Sequence, residues 1–229
     1  RWSGSTEQTL KLDTGRAGLW PGGLIVIRAR TRFGDGVNGK VGSPVNYDAL
    51  TPASSGDSKT TLSEWYIMQG ITEHVVVMAG KMDGARLADQ NEFASSEKSQ
   101  FLNLGLRTNP VILPYAPYTA LTAGVILMPT DWLSIATFVL DANGTANRIG
   151  FDTAFGSPVG TTIVQEWGFK IKPFGLPGKQ TVGVIYSRQN FTQLKPGRYP
   201  VTGPLGHRTR VIPVKETQRE DWAVYYNFS

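Results

Sequence analysis

The sequence predicts an all-β protein, and more specifically an antiparallel β-barrel that crosses a membrane with its strands. Apolar and polar residues alternate along many segments, glycine and proline are spread between them, and the connections are alternately short and long. Successive side chains of a strand point to opposite faces, so this alternation indicates a sheet with one apolar face.

The composition excludes several other classes of protein. The chain has 229 residues, of which 40% are hydrophobic, but no apolar run reaches the ~18 residues that indicate a transmembrane helix. There is no cysteine, which rules out a disulfide framework and a thiolate metal site. The net charge of +5 comes from 23 basic and 18 acidic residues, a mixture that differs from the basic stripe of a nucleic-acid-binding protein.

Nine alternating segments are predicted to be strands, each bounded by residues that favour turns. They span residues 6–14, 24–33, 59–71, 74–83, 119–128, 133–141, 160–171, 179–190 and 220–229.

The connections between these strands are sorted by length. Short turns at one rim and long loops at the other are the arrangement of a bacterial outer-membrane barrel. The short links are 16–23, 72–73, 129–132 and 172–179. The long, polar links are 34–58, 84–118, 142–159 and 191–219.

The second strand, LIVIRARTRFG, places Arg28, Arg30 and Arg32 on one face. Three arginines repel one another and could not be buried unpaired, but a water-filled channel would keep them hydrated. We therefore expect them to line a lumen, with the opposite face against lipid or a neighbouring subunit. The alternative is a soluble barrel with an apolar interior and the arginines outside, and alternation alone fits both. The opposite face carries Ile25, Ile27 and Phe33.

Several longer stretches resemble one protein family. LDTGRAGLWPGGLIVIRARTRFGDGVNGKVGSPVNYDAL, TTLSEWYIMQ, EWGFKIKPFGLPGKQTVGVIYSRQNFTQL and DWAVYYNFS are similar, in order and spacing, to the carbohydrate-selective porins of bacterial outer membranes. The resemblance extends from about Leu10 to Ser229 and implies a barrel of about sixteen strands. Because nine strands leave two unpaired edges, which hydrocarbon does not tolerate, we expect 1–229 to be one β-barrel domain that is incomplete at its C-terminus.

Charged and polar side chains on the strand faces that are predicted to line the lumen are the candidates for sugar binding. Sugar hydroxyls both donate and accept hydrogen bonds, arginine supplies several donors in a rigid fork, and carboxylates supply acceptors. Opposite charges across a narrow pore would hold a sugar strongly enough for entry and weakly enough for exit. The predicted pore-lining residues are Arg28, Arg30, Arg32, Glu64, Lys81, Asp83, Asn91, Glu92 and Glu166.

The link 84–118 is the predicted constriction loop. It contains too many apolar residues for a freely solvated loop, and folding inward would bury them while presenting Asn91, Glu92 and Lys98 to the channel. The acid–amide cluster from Asp89 to Glu92 would then oppose the arginines. An outward loop packed on its neighbours is the alternative, and the family resemblance favours the inward position.

Other motifs carry weaker predictions. Gly34–Gly39 spells the glycine pattern of a dinucleotide site, but no helix is predicted after it. Asp141–Asn147 resembles a calcium loop only faintly, since Asp152 stands where such a loop has a bidentate Glu. His74 and His207 have no metal-ligand spacing. We predict no enzyme activity, no metal and no cofactor.

The sequence thus predicts an outer-membrane porin for passive, carbohydrate-selective diffusion. The expected partners are mono- or oligosaccharides, outer-membrane lipid and further copies of the chain, as in a trimer, with no nucleic acid. A structural or adhesive outer-membrane protein with a plugged lumen remains an alternative, and a soluble sugar-binding β domain is a more distant one.

Overall fold

The computed structural model contains one antiparallel sheet and little helix. The sites suggested at Gly39, Asp89, Asp152 and His207 lie outside the residues that it describes. The described residues are 2–38, 59–84, 87, 91–144, 149–151, 154–155, 160–192 and 217–229.

In the described part of the chain, nine strands form one sheet, and each strand pairs with its neighbours in the sequence. All eight pairings are antiparallel. The strands are β1 (Ser3–Asp13), β2 (Gly23–Gly34), β3 (Lys59–Thr72), β4 (Val75–Met82), β5 (Ala120–Thr130), β6 (Leu133–Asp141), β7 (Thr161–Ile171), β8 (Gly178–Thr192) and β9 (Thr217–Phe228).

The predicted strands and their antiparallel order are confirmed. The largest differences are at the starts of β1 and β9, which begin at Ser3 and Thr217, three residues before the predicted positions. Antiparallel order places the four short links at one rim, the short-turn rim, and the four long links at the other rim. Strand alternation therefore identified the fold class, while the strand ends depended on local turn chemistry.

Two short helical turns are described from end to end in the links between strands. Helix α1 (Leu104–Arg107) has Asn103 as its N-cap residue. The Asn103 side chain accepts a hydrogen bond from Gly105 N. A 3₁₀ turn covers Pro173–Gly175 in the link between β7 and β8. No described helix has the length and apolar character needed to cross a bilayer.

The two faces of the sheet have different neighbours. Directly opposed residues of antiparallel strands share a face, and this rule places Phe138, Val164 and Ile185 together. They are buried against Ile112 and Tyr115 from the link between β4 and β5. We call this side the loop face. The opposite side, the bare face, exposes Ile27, Ile67, Val184, Trp222 and Val224.

A bulge between β2 and β3 brings charged residues into register on the loop face. Arg28 opposes Glu64, whereas Ala29 opposes Leu62, so Ser63 is the additional residue. The Ser63 hydroxyl donates to Arg28 O at 3.1 Å. The buried hydroxyl thereby satisfies a backbone acceptor at the irregularity.

Lys81 lies on the bare face, which corrects the expectation that it accompanies the arginines. It opposes Trp65 on β3 and Leu121 on β5, and alternation along β4 gives it the same face as Val77. Its side chain is fully buried, and Nζ donates to Leu62 O at 3.0 Å. Strand parity explains the difference, because the odd-numbered positions of β4 all point away from the loop face.

Candidate channel-lining site

Residues 91–118 lie across the loop face from the first strand to the last. At one side, Lys98 Nζ is 2.6 Å from Glu7 Oε1 on β1. At the other side, Asn109 Nδ2 donates to Asn227 Oδ1 on β9 at 2.7 Å. This segment therefore covers the loop face of the sheet rather than extending from its rim.

Charged side chains meet where this segment touches β1 and β2. Arg30 Nε donates to Glu7 Oε2 at 2.9 Å, and Arg30 Nη2 donates to Glu97 Oε1 at 2.8 Å. Arg107 Nη1 donates to the other oxygen of Glu97 at 2.7 Å. Glu97 thus bridges a strand arginine and a loop arginine. The ionic cluster consists of Glu7, Arg28, Arg30, Glu64, Glu97 and Arg107.

Several side chains of this ionic cluster are almost completely excluded from solvent. Arg30 is 3% exposed, and Glu97 and Arg107 are each 2% exposed. Charges removed from water need partners, because an isolated buried charge has a large desolvation cost. The cluster therefore attaches the loop to the sheet through interactions that water cannot replace.

Arg28 extends the cluster toward β3. It forms an ion pair with Glu64, and its Nε is 3.4 Å from Glu7 Oε1. Glu64 Oε1 also accepts a hydrogen bond from Asp83 N at 3.1 Å. The Arg28–Glu64 ion pair therefore contacts both the bulge and the start of the loop.

Tyr118, the last residue of the loop, lies beside Arg30 and Arg32. The guanidinium carbon of Arg32 is 4.7 Å from the centre of the Tyr118 ring, within the range of a cation–π contact. Arg30 Nη1 donates to the Tyr118 hydroxyl. Burial, reinforced by the charge of Asp83, raises the pKa of Tyr118 despite the two nearby arginines. The phenol is therefore neutral at physiological pH.

A second region of the loop face contains a cavity of about 170 Å³, which we call the polar cavity. Glu166 and Lys179 contribute charged groups to it, and Asn91 contributes an amide from the loop. The Tyr225 hydroxyl donates to Glu166 Oε1. Tyr225 lies over Gly183, where a Cβ would be 2.0 Å from the ring carbon Cζ. A side chain at residue 183 would displace the ring that orients Glu166.

The predicted pore-lining residues lie in four places: near the ionic cluster, at the polar cavity, at an exposed position of the loop and on the bare face. Arg28, Arg30, Arg32, Glu64 and Asp83 meet near the ionic cluster. Asn91 and Glu166 meet at the polar cavity.

The two remaining predicted residues lie elsewhere. Glu92 is exposed, and in the described part of this loop a different carboxylate, Glu97, contacts Arg30 and Arg107. Lys81 lies on the bare face.

Four participants in this region were not indicated by the sequence alone. The pairing of Glu7 with Arg30 depends on the register of β1 and β2, for which no local signal exists. The link between β4 and β5 contains several acidic residues, and alternation says nothing about which of them turns inward. The missed residues are Glu7, Glu97, Arg107 and Tyr118.

The metal and nucleotide motifs have ordinary structural roles where they are described. Asp141 is buried, and its Oδ1 accepts from Asn143 N at 3.0 Å, as in a turn. Gly34 ends β2. Within the described ranges, no three His, Cys, Asp or Glu side chains come together in a way that could hold a metal ion.

An antiparallel sheet with an apolar bare face, a charged loop face and loops sorted by length defines a β-barrel protein of the bacterial outer membrane. The chain belongs to the carbohydrate-selective porin, OprB family, whose family model matches residues 1–229. Members of this family reside in the outer membrane of Gram-negative bacteria, which is therefore the location of this chain.

One solved structure is similar to this fold. It is the high-pH structure of OprB from Pseudomonas putida, with a TM-score of 0.70 and 15% sequence identity. The match covers 97% of this chain and 53% of that chain, so this chain spans about half the length of that protein. No protein with a curated description matches the sequence.

Proposed function

We propose that the loop face lines a water-filled channel through which sugars diffuse passively across the outer membrane. The observation that carries this proposal is the division of the sheet into an apolar face and a charged, polar face. Ile27 and Val224 are exposed on the bare face, whereas Arg30 and Glu166 are on the loop face. Membership of the carbohydrate-selective porin family supports the choice of solute.

We further propose that residues 84–118 narrow this channel. The described part of the loop lies against the interior surface, and its Glu97 is fixed between Arg30 and Arg107. Arg28, Arg30, Arg32, Glu64 and Asp83 would border the narrow zone. Because Arg30 is nearly excluded from solvent, its role is to hold the loop, while Arg32 beside Tyr118 faces the passing solute.

The bare face would contact lipid or further copies of the chain, as in a trimer. Along β9 it exposes Trp222, Val224, Tyr226 and Phe228. Such a band of aromatic and aliphatic side chains suits hydrocarbon and its interfaces, and it suits a subunit interface equally well.

The dense packing of residues 91–118 on the loop face favours a second candidate, in which the lumen is plugged and the protein is structural or adhesive. Ion conductance distinguishes the two. A sugar porin should conduct ions in a planar bilayer and show current block by sugars, whereas a plugged barrel should do neither.

The double replacement Arg30→Ala with Arg32→Ala tests the constriction. It should widen the pore, raise ion conductance, lower anion preference and weaken sugar block in the full-length porin. Arg16→Ala with Arg188→Ala is the matched control, because it also removes two positive charges, from side chains that are 92% and 61% exposed. Sugar block and ion selectivity equal to those of the wild type would show that the constriction lies elsewhere.

A further inference from the structure

We propose that the polar cavity is a carbohydrate subsite, separate from the ionic cluster, that holds one neutral sugar ring. This inference rests on the sugar-channel function proposed above and adds a place where the solute pauses. It depends on three properties of the cavity, namely its two unlike walls, its balanced charge and its size.

The two walls of the cavity match the two kinds of surface on a sugar ring. Ile126, Ala136 and Phe138 from β5 and β6 form an apolar wall. Glu166 and Thr181 from β7 and β8 form a polar wall. A pyranose has apolar C–H faces and a rim of hydroxyl groups, so it can place a face on the first wall and hydrogen-bond to the second.

The charges of the cavity favour a neutral solute. Glu166 accepts hydrogen bonds and Lys179 donates them, while the amide of Asn91 beside them is held by Phe93 N and Phe228 O. Among the side chains that line the cavity, one carboxylate and one ammonium leave no net charge, so neither an anion nor a cation gains an electrostatic advantage from them. Hydroxyl groups satisfy both kinds of partner without a charge of their own.

The size of the cavity suits a single ring. Its volume of about 170 Å³ is room for about five waters at ~30 Å³ each. Gly168 adjoins two residues that line this space, because a Cβ there would be 2.5 Å from Ser134 Oγ and 3.7 Å from Lys179 Cε. A side chain at residue 168 would occupy the space that Ser134 and Lys179 share.

Accessibility distinguishes this cavity from the ionic cluster. Glu166 and Lys179 are half-buried, so each residue keeps some contact with solvent. Arg30 and Glu97 are 3% and 2% exposed and are occupied by each other. Polar groups that a sugar can contact are therefore more accessible at the cavity than in the buried part of the cluster.

Glucose binding to the full-length porin tests the proposal, measured from the current fluctuations that glucose causes in single channels. Glu166→Gln should weaken glucose affinity about tenfold, as expected for the loss of a hydrogen bond to a charged group. Thr181→Val removes a hydroxyl at nearly constant shape and should weaken affinity a few-fold. Glu220→Gln, on the bare face, loses the same charge as Glu166→Gln and should bind glucose like the wild type.

Conductance in the absence of glucose shows whether each variant is folded and open. If Glu166→Gln fails to fold, Thr181→Val still decides the question. Wild-type affinity in the folded cavity variants would overturn the subsite while leaving the sugar channel intact. A wild-type channel that conducts ions but ignores glucose would instead overturn the sugar-channel function on which the subsite rests.

Discussion

The ionic cluster and the polar cavity lie on the same face of the same sheet, under the same loop, and differ in how their charges are used. In the cluster, Glu97 is paired with Arg30 and Arg107, and all three side chains are almost excluded from water. In the cavity, Glu166 and Lys179 remain half-buried around an open volume.

This difference separates attachment from recognition. A buried pair contributes little to net stability compared with an apolar alternative, but removing one partner is costly because the other charge is left uncompensated. The cluster therefore specifies where the loop sits. Groups that keep some contact with water can exchange it for a solute, so the cavity is the better place for reversible binding.

The largest expected effect comes from Glu97→Gln, which removes the charge between two buried arginines. We expect a loss of ~3–5 kcal/mol in the free energy of unfolding, measured by urea titration of the porin in detergent. Ion conductance should also rise, because the loop loses its attachment to β2.

Glu92→Gln is the matched control for this change, since it removes the same charge from an exposed position of the same loop. It should alter stability by less than ~0.5 kcal/mol. Equal effects of the two variants would contradict the assignment of loop attachment to the ionic cluster.

A smaller effect is expected from Gly183→Ala, which acts on the cavity side. The new Cβ would be 2.0 Å from Tyr225 Cζ, so the ring must move and Glu166 loses its phenolic donor. We expect ~1–3 kcal/mol of destabilisation from overpacking and weaker glucose binding, read from the same unfolding and current measurements. Gly70→Ala in β3 is the control, because the nearest heavy atom to its Cβ is 3.6 Å away. If both variants behave alike, contact with Tyr225 is not the cause.

The smallest expected effect concerns Tyr115, which joins the loop to β9. Its hydroxyl donates to Asp221 Oδ2 at 3.0 Å. Burial, followed by the hydrogen bond and charge of Asp221, raises the pKa of Tyr115 to about 12. An unperturbed tyrosine has a pKa of about 10, so folding favours the neutral phenol. This contribution is complete below about pH 10 and declines as the pH rises toward about 12.

Tyr115→Phe should therefore lower stability by ~1 kcal/mol at neutral pH and flatten the decline of stability above pH 10. Urea titrations at pH 7, 10 and 11 would measure both effects. Tyr226→Phe, on the bare face, loses the same hydroxyl without this contact to Asp221. An unchanged alkaline decline in Tyr115→Phe would assign that decline to other groups.

The sequence was informative wherever one short segment contained the whole signal. Alternation in β2 placed Arg28 and Ile27 on different faces of the sheet, and alternation in β3 did the same for Glu64 and Trp65, as the pairing of these strands shows. The same rule, applied to Lys81, would have assigned it to the face of Val77. The face of a strand residue can thus be predicted from parity alone, provided that the strand is read from end to end.

The arrangement of the candidate site could not be read in the same way. Its contacts join residues that are far apart in the sequence, such as Arg30 with Glu97 at a separation of 67 residues. Register and loop position decide such pairs, and each depends on packing across the whole sheet. The sequence alone therefore indicated half of the ionic cluster, including Arg30, but not Glu97, which bridges Arg30 and Arg107.

The path of residues 91–118 across the sheet also imposes an order on assembly. Every strand pairs with its neighbour in the sequence, so the sheet can grow hairpin by hairpin with short loop closures. The loop, in contrast, touches Glu7 from a separation of 91 residues and Asn227 from a separation of 118. Both ends of the sheet must be in register before those contacts exist. We therefore expect the loop to dock late, and interactions formed late govern how fast a structure unfolds rather than how fast it folds. The ionic cluster is therefore expected to slow the unfolding of the sheet rather than to speed its formation.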